Sequence, residues 1–295
     1  MALIDLIKQL RDRTGAGLMD CKAALLNNDE DLDKATDWLR EKGLAKAAKK
    51  ADRIAAEGLA LTKTCEKCGC TTILEVNCET DFVAKGDAFK ELVDNVAGVI
   101  LKNEPKNVEE AKALTTELFT DATVKMGEKF DLRRFEVIEK EEGQYIYTYI
   151  HMGGKIAVAV VLDKEDAELG KGLAMHIAAN NPSYLNTEAI GADAIEHETK
   201  IQLEAAKQDP KLAGKPEEML KKIIGGKVNK YFAEMVLVEQ PYLLDTEFGK
   251  KVGQVLQEKK TNVLKYVRYQ VGEGIEKRKD DFASEVMSQM KYILK

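Results

Sequence analysis

Apolar positions along the chain change their period several times, and each change predicts an element. Leu3, Leu6, Ile7 and Leu10 recur at helical spacing until Thr14-Gly15-Ala16-Gly17 interrupts them, since glycine readily takes the left-handed conformation that ends helices. Leu18, Cys21, Ala24 and Leu25 form the inner face of a second helix. Leu32, Ala35, Trp38 and Leu39 form that of a third, which is expected to stop at Gly43. Helices this short bury little apolar surface, so they predict a small satellite domain. Residues 45–53, rich in Ala and Lys without an apolar stripe, read as a partly helical, solvated connector.

The period then drops to two. Leu59 and Leu61 alternate in 58–64, and Leu74 and Val76 in 71–78, which predicts two strands joined through a cysteine-containing hairpin loop at 65–70. Phe89, Leu92, Val93, Val96, Val99 and Ile100 mark an amphipathic helix ending before Pro105, and one or two short helices lead to Gly127. Strands follow at 133–140, 144–151 and 155–163. The last is apolar on both faces from Ile156 to Leu162, which places it centrally in a sheet. Leu169, Leu173, His176 and Ile177 define a helix closed by Asn180-Asn181-Pro182.

Between Thr187 and Phe232 the apolar stripe thins to Ala194, Ile201 and Ala205 on one stretch and Leu220, Ile223, Ile224 and Tyr231 on the other. Helices so poor in apolar residues are not buried core elements, so the segment reads as an exposed antiparallel helical hairpin inserted into a β-containing core. Strand character returns at 235–238, a helix carries Val252, Val255 and Leu256, and 262–271 closes the sheet. Phe282, Val286 and Met290 then mark a last helix over 280–292. The expected class is α+β: a three-helix N-terminal domain, a core of two antiparallel-sheet subdomains, the inserted hairpin or coiled coil, and a C-terminal helix. Boundaries follow at 1–54, 55–142, 143–186 together with 233–271, 187–232, and 272–295.

Composition narrows the function. In 295 residues, 45 basic side chains face 51 acidic ones, a balance that argues against a nucleic-acid coat, because phosphate binding draws on basic excess. The lysines of 45–53 lack the interleaved aromatics of a single-strand binder. No apolar run approaches the roughly 20 residues of a membrane span. Met1-Ala2-Leu3-Ile4-Asp5 shows no basic run followed by an apolar one, so the expectation is a cytoplasmic protein without a secretory leader.

Enzyme signatures are scarce. Gly225-Gly226-Lys227 lacks the first glycine and the hydroxyl of a phosphate loop, and no nucleophile elbow occurs. The three histidines, His151, His176 and His197, fall on a strand end, a core helix and a hairpin arm without a local catalytic partner. Cys65-Glu66-Lys67-Cys68-Gly69-Cys70 is shaped like half of a zinc knuckle. Cys78 lies eight residues past Cys70, about 26 Å along a strand, and cannot join it. A zinc enzyme or redox protein built on this loop is therefore the alternative function, one ligand short of a closed site. No metal or cofactor is expected of the leading reading.

One segment resists a purely structural account. In Cys78-Glu79-Thr80-Asp81-Phe82-Val83-Ala84-Lys85, Thr80 is placed to cap a helix starting at Asp81. A carboxylate and a phenylalanine just after a strand end equally suit a binding tip.

Three stretches resemble one family. Arg13-Thr14-Gly15-Ala16-Gly17-Leu18-Met19-Asp20-Cys21-Lys22 resembles the N-terminal signature of elongation factor Ts. Residues 75–85, with Thr80-Asp81-Phe82-Val83, resemble its second signature, and Val271-Gly272-Glu273-Gly274 with Asp281-Phe282-Ala283 its C-terminal module. The resemblance implies a guanine-nucleotide exchange factor, not an enzyme, whose partner is the translational GTPase elongation factor Tu. It implies no direct contact with nucleic acid or membrane. It further implies that Thr80, Asp81, Phe82 and Val83 disturb the partner's Mg²⁺ site, that Phe82 wedges between partner helices, and that His151 touches the partner. The N-terminal helices resemble a ubiquitin-associated domain, expected to dock through Met19 and Lys22.

Overall fold

The computed structural model describes residues 2–209, 212, 216–245 and 249–276. Its class is α+β, with three N-terminal helices, two small antiparallel three-stranded sheets and further helices. The expected C-terminal helix at 280–292 lies outside the described residues. The chain forms two compact units. Among the described residues, the first comprises 2–61, 74–136 and 270–276, and the second 62–73 and 137–269.

In the first unit, α1 (Leu3–Thr14), α2 (Leu18–Asn27) and α3 (Leu32–Lys49) follow the predicted breaks. Gly15 ends α1 at φ 67° and returns its N–H to Arg11 O at 2.7 Å. Leu6, Ile7, Leu10, Cys21, Leu25 and Leu39 build the small core. The third helix does not stop at Gly43. It continues to Lys49, so the first part of the expected connector is helix. Gly43 is there for proximity: a Cβ at this position would meet Val124 Cγ2 at 2.5 Å, on α6 (Val108–Met126). An interior glycine costs a helix about 1 kcal/mol, and the close approach to α6 offsets that cost. The "one or two" helices before Gly127 are this one, and α5 (Asp87–Asn103) precedes it.

Strands β1 (Glu57–Thr64), β2 (Thr71–Cys78) and β3 (Asp131–Ile138) lie in the order β1-β2-β3. The middle position buries every residue of β2, including the carboxylate of Glu75. Between β2 and α5 sits α4 (Asp81–Lys85).

In the second unit, β4 (Tyr145–His151), β5 (Ile156–Leu162) and β6 (Val263–Gln270) form the other sheet, with β5 central as its doubly apolar pattern requires. The antiparallel β4–β5 register runs from Tyr145 opposite Leu162 to His151 opposite Ile156. It sets Tyr147 and Tyr149 beside Val160 and Val158, against α7 (Ala167–Asn180). Asp166 caps α7 by accepting the Leu169 N–H at 2.9 Å, and Tyr147 Oη accepts the Asp166 N–H at 2.9 Å.

The inserted segment is two packed helices, α8 (Ala192–Gln208) and α9 (Glu217–Ala233). Their seam keeps Ala194, Leu220, Ile223 and Ile224 of the expected stripe and departs from it elsewhere. Ile201 and Tyr231 are exposed, whereas Ala206, Ile224, Val228 and Phe232 are buried. On α8 the buried positions include Glu198, whose Oε1 accepts from Gln202 Nε2 at 2.7 Å. A seam containing a carboxylate and small residues leaves little apolar signal in the sequence. The strand expected at 235–238 is a single bridge between Tyr184 and Val236 followed by a 3₁₀ turn at Leu237–Glu239. The N–H groups of Met235 and Val236 return to Phe232 O at 2.9 and 3.0 Å, which curls the chain away from a ladder. Helix α10 (Val252–Lys259) then leads into β6.

Candidate functional site

The segment from Glu75 to Lys85 leaves the buried strand β2 and surfaces within a few residues. At its buried end, Glu75 accepts from Arg133 Nη1 at 3.0 Å, Arg134 Nε at 2.7 Å and the Gly272 N–H at 2.8 Å. Asn77 Nδ2 adds a fourth bond at 3.2 Å. A buried carboxylate is tolerated only with such full satisfaction. The same arginines bind the backbone of Gln270 and Glu273. Glu75 thus ties the turn at 270–273 to the middle of the first sheet.

At the exposed end, Thr80 caps α4 with extended backbone (φ −124°, ψ 154°), its Oγ1 accepting the Val83 N–H at 3.4 Å. The cap expected from the sequence is present, and it turns Phe82 outward. Phe82 is 85% exposed, the most exposed large apolar side chain among the described residues. An apolar ring left so far in water has no role in holding this chain together. Next to it, Asp81 Oδ2 accepts from Lys85 Nζ at 2.6 Å, one turn along. That hydrogen bond holds the Lys85 ammonium pKa above its ordinary value. Both side chains of this pair face solvent in part, where such pairs contribute little to stability. Val83 is half-buried, and Ala84 is the buried residue that seats the turn.

Two carboxylates that no local pattern singled out grip the start of α4. Glu128 Oε1 accepts the Thr80 hydroxyl at 2.6 Å, and its Oε2 accepts the N–H groups of Glu79 and Thr80 at 3.0 and 3.1 Å. In return, Glu79 Oε1 accepts the Lys129 N–H at 2.7 Å, and its Oε2 pairs with Arg53 Nη1 at 3.1 Å. Lys129 Nζ donates to the carbonyls of Ala51 and Arg53 at 2.6 and 2.9 Å. A carboxylate after a helix-ending glycine, as in Gly127-Glu128, is a weak signal, and the sequence carried no other.

The remaining candidates sit on separate elements. Met19 and Lys22 share the outer face of α2, with Met19 71% exposed and Leu18 exposed beside them. The opposite face carries Cys21, whose thiol is pushed up by burial and whose Sγ donates to Ala16 O at 3.6 Å. Asp20 is paired with Lys46 at 3.0 Å. His151 ends β4 in the other unit, its Nδ1 3.1 Å from Tyr149 Oη. The turn after it holds Met152 at φ 49°, exposing that side chain. A left-handed conformation is uncommon for a non-glycine residue; here the Gly154 and Lys155 N–H groups both return to His151 O.

His176 is wholly buried and satisfied: Nε2 lies 2.9 Å from Gln240 Oε1, and Nδ1 accepts the Leu243 N–H at 3.1 Å. Burial lowers its pKa. His197 is exposed on α8.

The cysteine loop is a hairpin tip. The Cys65 N–H donates to Cys70 O and the Gly69 N–H to Cys65 O, both at 2.8 Å. The Cys70 N–H points at Cys68 Sγ at 3.4 Å. None of the five cysteines forms a disulfide. Among the described residues no three His, Cys, Asp or Glu side chains converge as a metal set, so the zinc alternative finds no ligand group there. Cys78 is at the far end of β2, donating to Thr80 O at 3.2 Å. No described helix is long and apolar enough to cross a membrane. With this geometry in place, comparison against protein families finds a match to the family described as Elongation factor TS, over residues 79–273.

Proposed function

The chain belongs to the elongation factor Ts family, and from that premise we propose that it binds the GTPase elongation factor Tu in its GDP form and promotes GDP release. The observation that carries this reading is Phe82, an aromatic ring 85% exposed on a clamped turn beside an acidic residue. The pairing fits insertion into another protein better than any role within this one.

GDP is held in such a GTPase largely through its phosphates and their Mg²⁺. In the proposed action Phe82 wedges between partner helices, Val83 and Thr80 flank it, and Asp81 competes for the hydrogen bonds that order the Mg²⁺ shell. Weakening that shell stabilises the nucleotide-free partner relative to the loaded one. Linkage then requires reciprocity: the factor by which this chain lowers GDP affinity is the factor by which GDP lowers the affinity for this chain. No covalent bond is made or broken. Met19 and Lys22 on α2 offer a mixed apolar and basic docking face, and His151 with the exposed Met152 turn offers a further contact. The action belongs to translation elongation in the cytoplasm.

The test is release of a fluorescent GDP analogue from purified elongation factor Tu. A substoichiometric amount of this chain is expected to accelerate release, and Phe82→Ala to remove at least about nine-tenths of the acceleration, equivalent to about 1.4 kcal/mol. No acceleration by the folded wild-type chain sinks the proposal.

A further inference from the structure

We infer that Glu128 is the positioning residue of the Phe82 tip, an inference that rests on the exchange reading above. Helix α4 has five residues, too few to sustain itself, because helix nucleation is unfavourable and only longer helices recover its cost. Its direction is therefore imposed from outside. Ala84 and the half-buried Val83 seat it beside α5, but these apolar contacts leave the Glu79 and Thr80 N–H groups at the entry point to be held by something else.

Glu128 holds them. One oxygen takes the Thr80 hydroxyl at 2.6 Å and the other takes the consecutive N–H groups of Glu79 and Thr80 at 3.0 and 3.1 Å. With its proton directed at Glu128, the Thr80 hydroxyl turns a lone pair toward the Val83 N–H at 3.4 Å, so the carboxylate also orients the cap. The reciprocal bond from the Lys129 N–H to Glu79 Oε1, at 2.7 Å, closes the clamp from the other side. A carboxylate accepting three donors is stronger than a neutral acceptor in the same place. Phe82 itself donates and accepts nothing through its side chain, so its aim depends on this grip. Glu128 acts through Thr80 and Glu79, without touching the partner.

Two measurements on the full chain separate this role from simple scaffolding. Hydrogen exchange of backbone amides in the free chain reads the clamp directly. Glu128→Ala should speed exchange at Glu79 and Thr80 by about tenfold or more, with the thermal midpoint near that of wild type. In the GDP-release assay the same variant should lower the maximal rate about tenfold while the half-saturating concentration moves less than about threefold, because docking faces elsewhere are intact. Glu128→Gln, which keeps one acceptor oxygen, should fall between wild type and Glu128→Ala. Thr80→Val, which removes only the hydroxyl bridge, should shift both readouts the same way.

If the amides loosen and the maximal rate stays at the wild-type value, the positioning role is overturned although the clamp is real. If the amides do not loosen, the clamp itself is overturned. If wild type fails to accelerate release, the exchange reading falls, and the positioning role falls with it. That outcome is visible in the wild-type arm alone.

Discussion

Glu75 and Phe82 lie in one short stretch of chain and solve opposite problems. Glu75 is a charge in the interior, surrounded by Arg133, Arg134, Asn77 and the Gly272 N–H. Phe82 is an apolar ring in solvent, held out by a carboxylate that never touches it. In both places a glutamate does the holding. At Glu75 burial makes every missing partner costly, so the residue contributes to the fold. At Glu128 the carboxylate is half-buried and water can replace it, so the residue selects one conformation of a turn and adds little to global stability. Position relative to solvent, rather than residue type, decides which job a carboxylate performs.

The sharpest way to break this contrast is Glu75→Ala. It strips two partly exposed guanidinium groups and a buried N–H of their acceptor, and unfolding by urea should show a loss of about 3 kcal/mol. A loss below about 1 kcal/mol would mean that the hub is ornamental.

Gly43 extends the comparison to apolar packing. A Cβ there meets Val124 Cγ2 at 2.5 Å, so Gly43→Val should push α3 from α6 and cost about 2 kcal/mol in the same assay. Serving only as a flexible helix stop, Gly43 would instead tolerate the change.

Phe82→Ala tests the other pole. With 85% of the residue already in water, its effect on unfolding should stay within about 0.5 kcal/mol while nucleotide release loses about tenfold. Destabilisation in parallel with lost release would place Phe82 among the packing residues.

The smallest expected effect concerns His176, a buried group carried neutral. Burial holds its pKa below the ordinary value near 6.5, so the unfolded chain binds the proton more readily. Stability is therefore full above about pH 6.5 and declines as pH falls through that value toward the lower folded pKa. Protonating Nδ1 would also set an N–H against the Leu243 N–H. Thermal midpoints at pH 7.5 and 5.5 should differ less in His176→Gln than in wild type.

Much of the fold is legible in local pattern. The helix breaks at Gly15 and Asn181, the doubly apolar β5 and the hairpin arms are each set by neighbours within a few residues. The Thr80 cap and the outward phenylalanine are likewise local, which is why the tip is legible in residue order alone. Gly43 and part of the hairpin seam are misread because a distant surface intervenes, whereas 235–238 is misread for a local reason. Gly43 reads as a stop until α6 packs against it. The hairpin seam is hidden because Glu198 occupies a buried place, and the strand at 235–238 gives way to backbone bonds returning to Phe232.

Residue order sets most of the helical and extended segments and most of their breaks, the family resemblance, and the Thr80 cap beneath Phe82. What holds that turn and what anchors the first sheet come from packing between distant segments. Thr80 and Glu128 are 48 residues apart in the chain, and Glu75 and Gly272 are 197 apart. Local periodicity reports on contacts within a turn or a strand pair. Bonds across such separations exist only once packing has brought the two surfaces together and excluded the water that would otherwise satisfy them.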